Sequence, residues 1–421
     1  MKMRMWEIPS LERFSTLKRF TRKASKALLL VATFSISGCG GTPDGLMSPS
    51  SLASPDAHQV PIVIATTRQS TENPATLFSG ERGKLSYAKV AVSIPPNHVS
   101  GQIEWPSSLP VDPNKYFSTQ QASLLDQKGF QTAVRQSMKN RKSNGKVFVF
   151  IHGYNTRFDA AVYRLAQISY DSGADVAPVL FTWPSRGKLL GYPYDRESAA
   201  YSRDALEKLL QDLARDPEVK DITILAHSMG NMAALEALKQ MAVRSGNVSG
   251  KIRNVILASP DVDVDVAKVL IEGMGSKPPR FTLFISRDDR ALGASRLVWG
   301  STDRLGSIDP GKEPYLTALS RYSNMEVFDL TSLQAGDSLN HTKFAQSPDV
   351  VRFVGERLMA GQKMDTQTIG IGDHIGSLVI GATTVVGNAA TAAVSAPIAI
   401  VDPATRENLS DRIHAIVPGA Y

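Results

Sequence analysis

The chain reads as an α/β protein with a mostly parallel central sheet and helices on both faces. Three observations predict it. From Gly145 onward, short apolar runs alternate with longer amphipathic segments, the pattern of strands joined by crossover helices. One run, Ile222-Thr223-Ile224-Leu225, passes straight into Ala226-His227-Ser228-Met229-Gly230 and then into Met229 to Met241, with Ala and Leu at helical spacing. An earlier run, Val147 to Ile151, ends in His152-Gly153-Tyr154-Asn155.

The elements follow in order. Met1 to Lys26 carries eight basic residues against two acidic ones, followed by the apolar segment Ala27 to Phe34. Such a stretch is a secretion signal, too short for a convincing membrane span. It ends in Ile36-Ser37-Gly38-Cys39-Gly40-Gly41, which matches a bacterial lipobox. Residues 1–38 are therefore expected to be a lipoprotein signal peptide, with Cys39 lipidated and the membrane a partner through that lipid. Cys39 is the only cysteine, so an intramolecular disulfide is excluded. Cleavage takes eight positive and two negative charges from the formal +7, leaving about +1. Nothing basic enough to suggest nucleic acid as a partner remains, and none is expected. With Gly, not Asp, after Cys39, the expected address is the outer membrane of a bacterial envelope.

Residues 39–58, rich in Ser, Pro and Gly, read as a flexible tether. The folded body is expected over 59–360, with 59–140 supplying strands (Val60 to Thr66, Tyr87 to Ile94) that extend the sheet edge. Beyond Gly145 the strands are 147–151, 222–225, 254–257, 280–285 and 325–330, and the helices 158–170, 196–213 and 229–241. Residues 361–421 form a Gly/Ala-rich apolar segment whose stretch from Gly370 to Val401 is long enough to reach across a bilayer. Its small residues make it weakly hydrophobic, so packing on the body or lying against the membrane is expected instead.

A serine between strand and helix is commonly an N-cap. Here the residues two before and two after it, Ala226 and Gly230, are small, as a sharp turn that raises the hydroxyl above the sheet edge requires. Ser228 is the candidate nucleophile, and it needs a base to take its proton and a carboxylate to orient that base. Asp289 follows the strand Arg280 to Ile285, and His341 lies in the loop after Met325 to Leu330. Asp288, Asp261 and Asp263 compete as acid. His374, His98, His58 and His414 compete as base. The backbone amides of Met229 and Tyr154 are candidate oxyanion donors, the first at a helix start where the dipole favours an anion. His152, His227 and Trp183 are candidate pocket residues, the last within the segment Phe181 to Gly187 that leads into Tyr192 to Asp195 and could line an acyl pocket, with Trp183 alternatively packed beneath the loop. No metal cluster or glycine-rich phosphate loop appears in the sequence, so no cofactor is implied.

The order Ser, Asp, His is that of an α/β-hydrolase. The segments Ile64-Ala65-Thr66-Thr67-Arg68, Phe78 to Gly83, Val92 to Pro95, His152 to Asn155, Phe181 to Ser185, Ala226 to Gly230, Asp289-Arg290-Ala291-Leu292 and His341 to Phe344 together resemble a bacterial α/β-hydrolase family of unassigned substrate. Its members are usually described as esterase- or lipase-like, and many are lipoproteins. The resemblance spans about Val60 to Leu358. It implies an α/β-hydrolase fold, favours Asp289 over Asp288 through the D-[KR]-A-L register, and prefers esters over amides without naming a substrate; a small-molecule or lipid acyl ester is the expected partner. The same residues would also serve an acyltransferase or peptidase, and a non-catalytic binding lipoprotein is the reading from another class.

Overall fold

The computed structural model describes residues 42–52, 54–333 and 337–360. The expected signal peptide, Cys39 and the segment 361–421 lie outside the described residues. The chain divides into units Met1–Thr42 and Pro43–Tyr421, and every element described belongs to the second. Its strands are β1 (His58–Ser70), β2 (Phe78–Ile94), β3 (Ser118–Leu125), β4 (Lys146–Ile151), β5 (Ala177–Thr182), β6 (Asp221–His227), β7 (Ile252–Ala258), β8 (Arg280–Ile285) and β9 (Met325–Asp329). Its helices are α1 (Gln127–Asn140), α2 (Phe158–Asp171), α3 (Tyr192–Tyr201), α4 (Arg203–Arg215), α5 (Gly230–Ser245), α6 (Val264–Glu272), α7 (Arg290–Val298), α8 (Tyr315–Leu319), α9 (Lys343–Gln346) and α10 (Pro348–Ala360).

These strands form one nine-stranded sheet in the order β3-β2-β1-β5-β4-β6-β7-β8-β9. The first three pair antiparallel and make a wing; from β1·β5 onward every pairing is parallel. Strands buried on both faces must be apolar in every position, and β4 shows it. Val147, Val149 and Ile151 join one buried cluster, while Phe148 and Phe150 join another on the opposite face. The register sets Ile151 beside Ala226 and His227 beside Ala258, so the loops after β4, β6 and β7 leave the sheet side by side. Among the described residues no helix is long and apolar enough to cross a membrane.

Three sequence expectations change. Residues 43–52 of the expected tether lie on the body: Leu46 and Met47 are 1% exposed, and Met47 N and Ser50 N donate to Ala75 O and Thr119 O. Two adjacent apolar side chains suffice to anchor a segment whose composition reads as a linker. The expected helix 196–213 is two helices that break at Ser202, whose hydroxyl donates to Ser198 O (2.7 Å) and meets Thr67 Oγ1 (2.7 Å). Back-bonding of this kind competes with the helical ladder. Finally, β3 and α1 add to the expected elements: β3 begins with the polar run Ser118-Thr119-Gln120-Gln121 and shows no clear alternation, and α1 is fixed by Asp126, which caps Gly129 N at 2.6 Å.

Candidate active site

Ser228 occupies the turn between β6 and α5 with φ +51°. A left-handed serine is strained, and the turn is held on all sides. Ser228 N donates to Ala258 O (3.0 Å), and Ser228 O accepts from Asn231 N (3.1 Å), Asp261 N (3.2 Å) and Asn231 Nδ2 (2.9 Å). Two glycines allow the loop after β4 to press on this turn. A Cβ at Gly230 would stand 2.3 Å from His152 O, and one at Gly153 would stand 2.8 Å from Ser228 Cβ. The amides of Met229 and Tyr154 flank the serine through these contacts, and neither has an acceptor among the described residues.

His341 lies between β9 and α9, and its Nδ1–H donates to Asp289 Oδ2 at 2.7 Å. Asp289 is 4% exposed and caps α7 with its other oxygen, accepting from Leu292 N at 2.9 Å. The competing carboxylates are engaged elsewhere. Asp288 accepts from Lys343 Nζ (2.8 and 3.0 Å), Asn340 Nδ2 (2.8 Å) and Ser286 Oγ (2.5 Å), and Asp263 caps α6. Among the competing histidines, His98 is bound between Glu104 and Asp171, and His374 and His414 lie outside the described residues. The sequence did not reveal the supports of the histidine loop. Asp337 accepts from the amides of His341 (3.1 Å) and Thr342 (2.7 Å), and buried Lys343 also donates to Leu330 O (3.1 Å) and Thr331 O (3.0 Å). No hydrogen bond joins Ser228 Oγ to His341 among the described residues; such contacts are often long before substrate binds.

The three histidines around Ser228 differ in basicity. Burial opposes protonation of His341, but Asp289, Asp261 and Asp337 outweigh it and raise its pKa above 6.5. Burial, with His341 nearby, lowers His227 well below 6.5. Its ring lies 4.7 Å from that of His341 and 4.6 Å from that of Phe344, and its Nε2–H donates to His341 O (3.3 Å). Burial, then the Arg68 charge, pushes His152 down to about 3.

His152 and Trp183 do not line an open pocket. Trp183 is fully buried, stacks on His152 at 4.7 Å and donates its indole N–H to His152 O at 2.9 Å. Its large ring fills the space behind the loop, which puts it out of reach of solvent. Asp195, also buried, joins the loops after β4 and β5 by accepting from Asn155 N (3.2 Å), Ser185 Oγ (2.5 Å) and Arg186 N (3.0 Å). The partly exposed side chains beside these loops are aromatic. Tyr154 packs edge-on against Tyr192 at 5.0 Å, and Tyr192 OH accepts from Trp299 Nε1 (3.0 Å) and donates to Asp261 (2.6 Å). Leu190, just before Tyr192, is 90% exposed, and Leu297 beside Trp299 is 68% exposed. Tyr154 and the segment leading into Tyr192 are legible in the sequence as candidate lining, whereas Leu190, Leu297 and Trp299, isolated positions in loops or at a helix end, give no periodic signal.

The family described as "Alpha/beta hydrolase of unknown function (DUF900)" matches residues 126–357, over half of the chain. The chain belongs to this family. The DUF900 match takes in Ser228, Asp289 and His341 and begins after β1, β2 and β3, so the wing lies outside it. An "Uncharacterized protein alr1448" from Nostoc sp. is 39% identical over 67 residues, 16% of this chain and 17% of that protein. The chain thus spans about a sixth of the length of that curated relative. Among solved structures, a lipase-esterase related protein from Clostridium acetobutylicum is similar at 11% identity and TM-score 0.29, over 52% of this chain and 94% of that one. The siderophore hydrolase EstB from Aspergillus nidulans is similar at 11% identity and TM-score 0.33, over 75% and 99%.

Proposed function

We propose that this DUF900 protein is a serine hydrolase that cleaves a carboxylic ester through an acyl-Ser228 intermediate. The observation that carries the reading is the pairing of His341 with buried Asp289 at 2.7 Å, in the loop that His227 ties to the Ser228 turn. In the proposed mechanism His341 Nε2 takes the Ser228 proton as Oγ bonds to the acyl carbon. The resulting oxyanion rests on the amides of Met229 and Tyr154. Collapse breaks the ester bond, and His341 returns the proton to the leaving alcohol. Water, deprotonated by the same imidazole, then releases the acid and frees Ser228. Asp289 keeps the His341 proton on Nδ1, leaving Nε2 free to act as base. The substrate class, a small-molecule or lipid acyl ester, is supported by the aromatic wall of Tyr154, Tyr192 and Trp299. The proposed setting is the bacterial envelope, with the chain anchored through lipidated Cys39.

Full-length protein and Ser228→Ala, both in detergent, exposed to a fluorophosphonate probe and to esters of increasing acyl length, test the reading. Labelling and turnover by the wild type alone are expected. A folded wild type that does neither would reject it. Incorporation of an alkyne fatty acid, lost in Cys39→Ala, tests the anchor.

A further inference from the structure

Arg68, on β1 and outside residues 126–357, is 1% exposed. A buried guanidinium is tolerated only when its donors are paired, and here they are paired to one place. Nε donates to Thr182 Oγ1 (2.8 Å), Nη1 to Ser185 O (2.8 Å) and Ser79 O (3.2 Å), and Nη2 to Thr156 O (2.7 Å). Nη2 also lies 3.4 Å from His152 Nε2. Burial lowers its pKa to about 10, opposed by the charges of Asp195 and Asp159. Neither carboxylate is hydrogen-bonded to it among the described residues. The guanidinium therefore ties Ser79 O of β2 and the end of β5 at Thr182 to the loops after β4 and β5.

The hydrogens around His152 can be followed one by one. Thr182 Oγ1 accepts from Arg68 Nε, so its own hydrogen is free for His152 Nε2, 2.9 Å away. Trp183 N–H is directed at the same nitrogen at 3.2 Å. A nitrogen that accepts carries no proton, so the neutral ring has its proton on Nδ1, which donates to Gly153 O at 2.8 Å. Gly153 O and Tyr154 N–H belong to a single planar peptide unit and point in opposite directions across it. Fixing the carbonyl therefore fixes where the amide points.

We propose that Arg68 is a positioning residue for the oxyanion: by orienting Thr182 and facing His152, it joins the Trp183 N–H in holding the Nδ1–H tautomer and so helps to aim Tyr154 N–H at a carbonyl oxygen bound at Ser228. This deepens the proposed function and rests on it. It also makes the antiparallel wing part of the site.

The test uses full-length wild type, Arg68→Met and Thr182→Val. Thr182→Val removes the hydroxyl link while keeping the charge and nearly the same volume. Three readouts are taken: kcat and KM on a short ester, affinity for a trifluoromethyl ketone whose hemiketal oxyanion needs the amides, and ¹⁵N-histidine NMR of His152. Losing one oxyanion donor costs about 100-fold or more, so Arg68→Met is expected to lower kcat and ketone affinity together by about 100-fold, with KM within about twofold. Thr182→Val is expected to lose about tenfold in the same two quantities. NMR of the wild type is expected to show His152 protonated on Nδ1 alone, and Arg68→Met to show the proton shared with Nε2. A merely structural role would lower the amount of folded enzyme and leave kcat per folded molecule and ketone affinity unchanged. Folded variants with wild-type kcat and ketone affinity, or a wild-type His152 protonated on Nε2, would overturn the role of Arg68 alone. Should Arg68→Met fail to fold, Thr182→Val and the wild-type spectrum decide. A wild type inert to esters and fluorophosphonate rejects the underlying function and this role with it.

Discussion

On one side of Ser228 stands His152, sealed behind Trp183 and beside the Arg68 cation; on the other stands His341, bound to Asp289 with its side chain 14% exposed. The same residue type has opposite tendencies in the two places. Burial and Arg68 keep His152 neutral, whereas carboxylates raise the basicity of His341 despite its burial. The lesson is that the histidine facing solvent and carboxylates is fitted to exchange a proton, and the one facing a cation is fitted to hold a peptide still. In the proposed enzyme these are the acid-base side and the oxyanion side, and they ask different things of the chain. The first needs three residues from the parallel half, and the second also draws on the wing.

The largest expected effect separates the reacting groups from their frame. Ser228→Ala and His341→Ala should each lower kcat by about 10⁶-fold with the fold unchanged, measured by ester turnover and circular dichroism. Next come the adjacent carboxylates. Asp289→Asn should cost about 10⁴-fold in kcat, because an amide in its place favours the wrong imidazole tautomer. Asp288→Asn, which leaves Lys343 paired only with carbonyls, should act on stability instead, by about 1–2 kcal/mol in urea unfolding given that Asp288 is 38% exposed. Equal kinetic losses in the two variants would contradict the division of labour read from their partners.

The pH profile sharpens the contrast further. A base must be neutral to act, so kcat/KM is expected to rise with pH through the raised pKa of His341, with its acid limb above pH 6.5. Asp261→Asn should move that limb down, since Asp261 is one of the charges that raise it. Stability follows its own course. Groups raised in the folded state, His341 and His98, contribute stability that is full below about pH 6.5 and is lost as pH rises through their folded pKa values. His152 and His227 are lowered, so between about pH 6.5 and His152's folded value of about 3 the unfolded chain binds more protons and stability falls with falling pH. Each fully shifted group contributes a slope of at most about 1.4 kcal/mol per pH unit. The histidine contribution should therefore peak near pH 6.5 in urea unfolding followed from pH 8 to 5, and a steady gain down to pH 5 would contradict the neutral state of His152 and His227. The smallest effect is expected at the rim. Trp299→Ala should raise KM for long acyl esters by about threefold to tenfold and leave short esters unchanged, because it removes apolar contact without touching the reacting atoms.

The strands that lead to Ser228, Asp289 and His341 were legible because parallel strands buried on both faces must be continuously apolar, and helices packed on them must repeat every three to four residues. The turn at Ser228 was legible because close backbone approach admits only small neighbours, and the Cβ positions at Gly230 and Gly153 show how little room there is. The short segment around Leu46 was not, because two anchoring residues leave no period to detect.

Local sequence thus determined where each strand ends and which residues stand at its carboxyl edge: Ser228 after β6, Asp289 after β8, His341 after β9. Such edges are set by short-range patterns of burial and turn formation. Only the tertiary structure decided what Asp288 does instead, which histidine is disposed to stay neutral, and that an arginine 84 residues before His152 lies against it. Those outcomes depend on contacts across the sheet and on the low polarity of the interior. Neither is written in the spacing of residues along the chain.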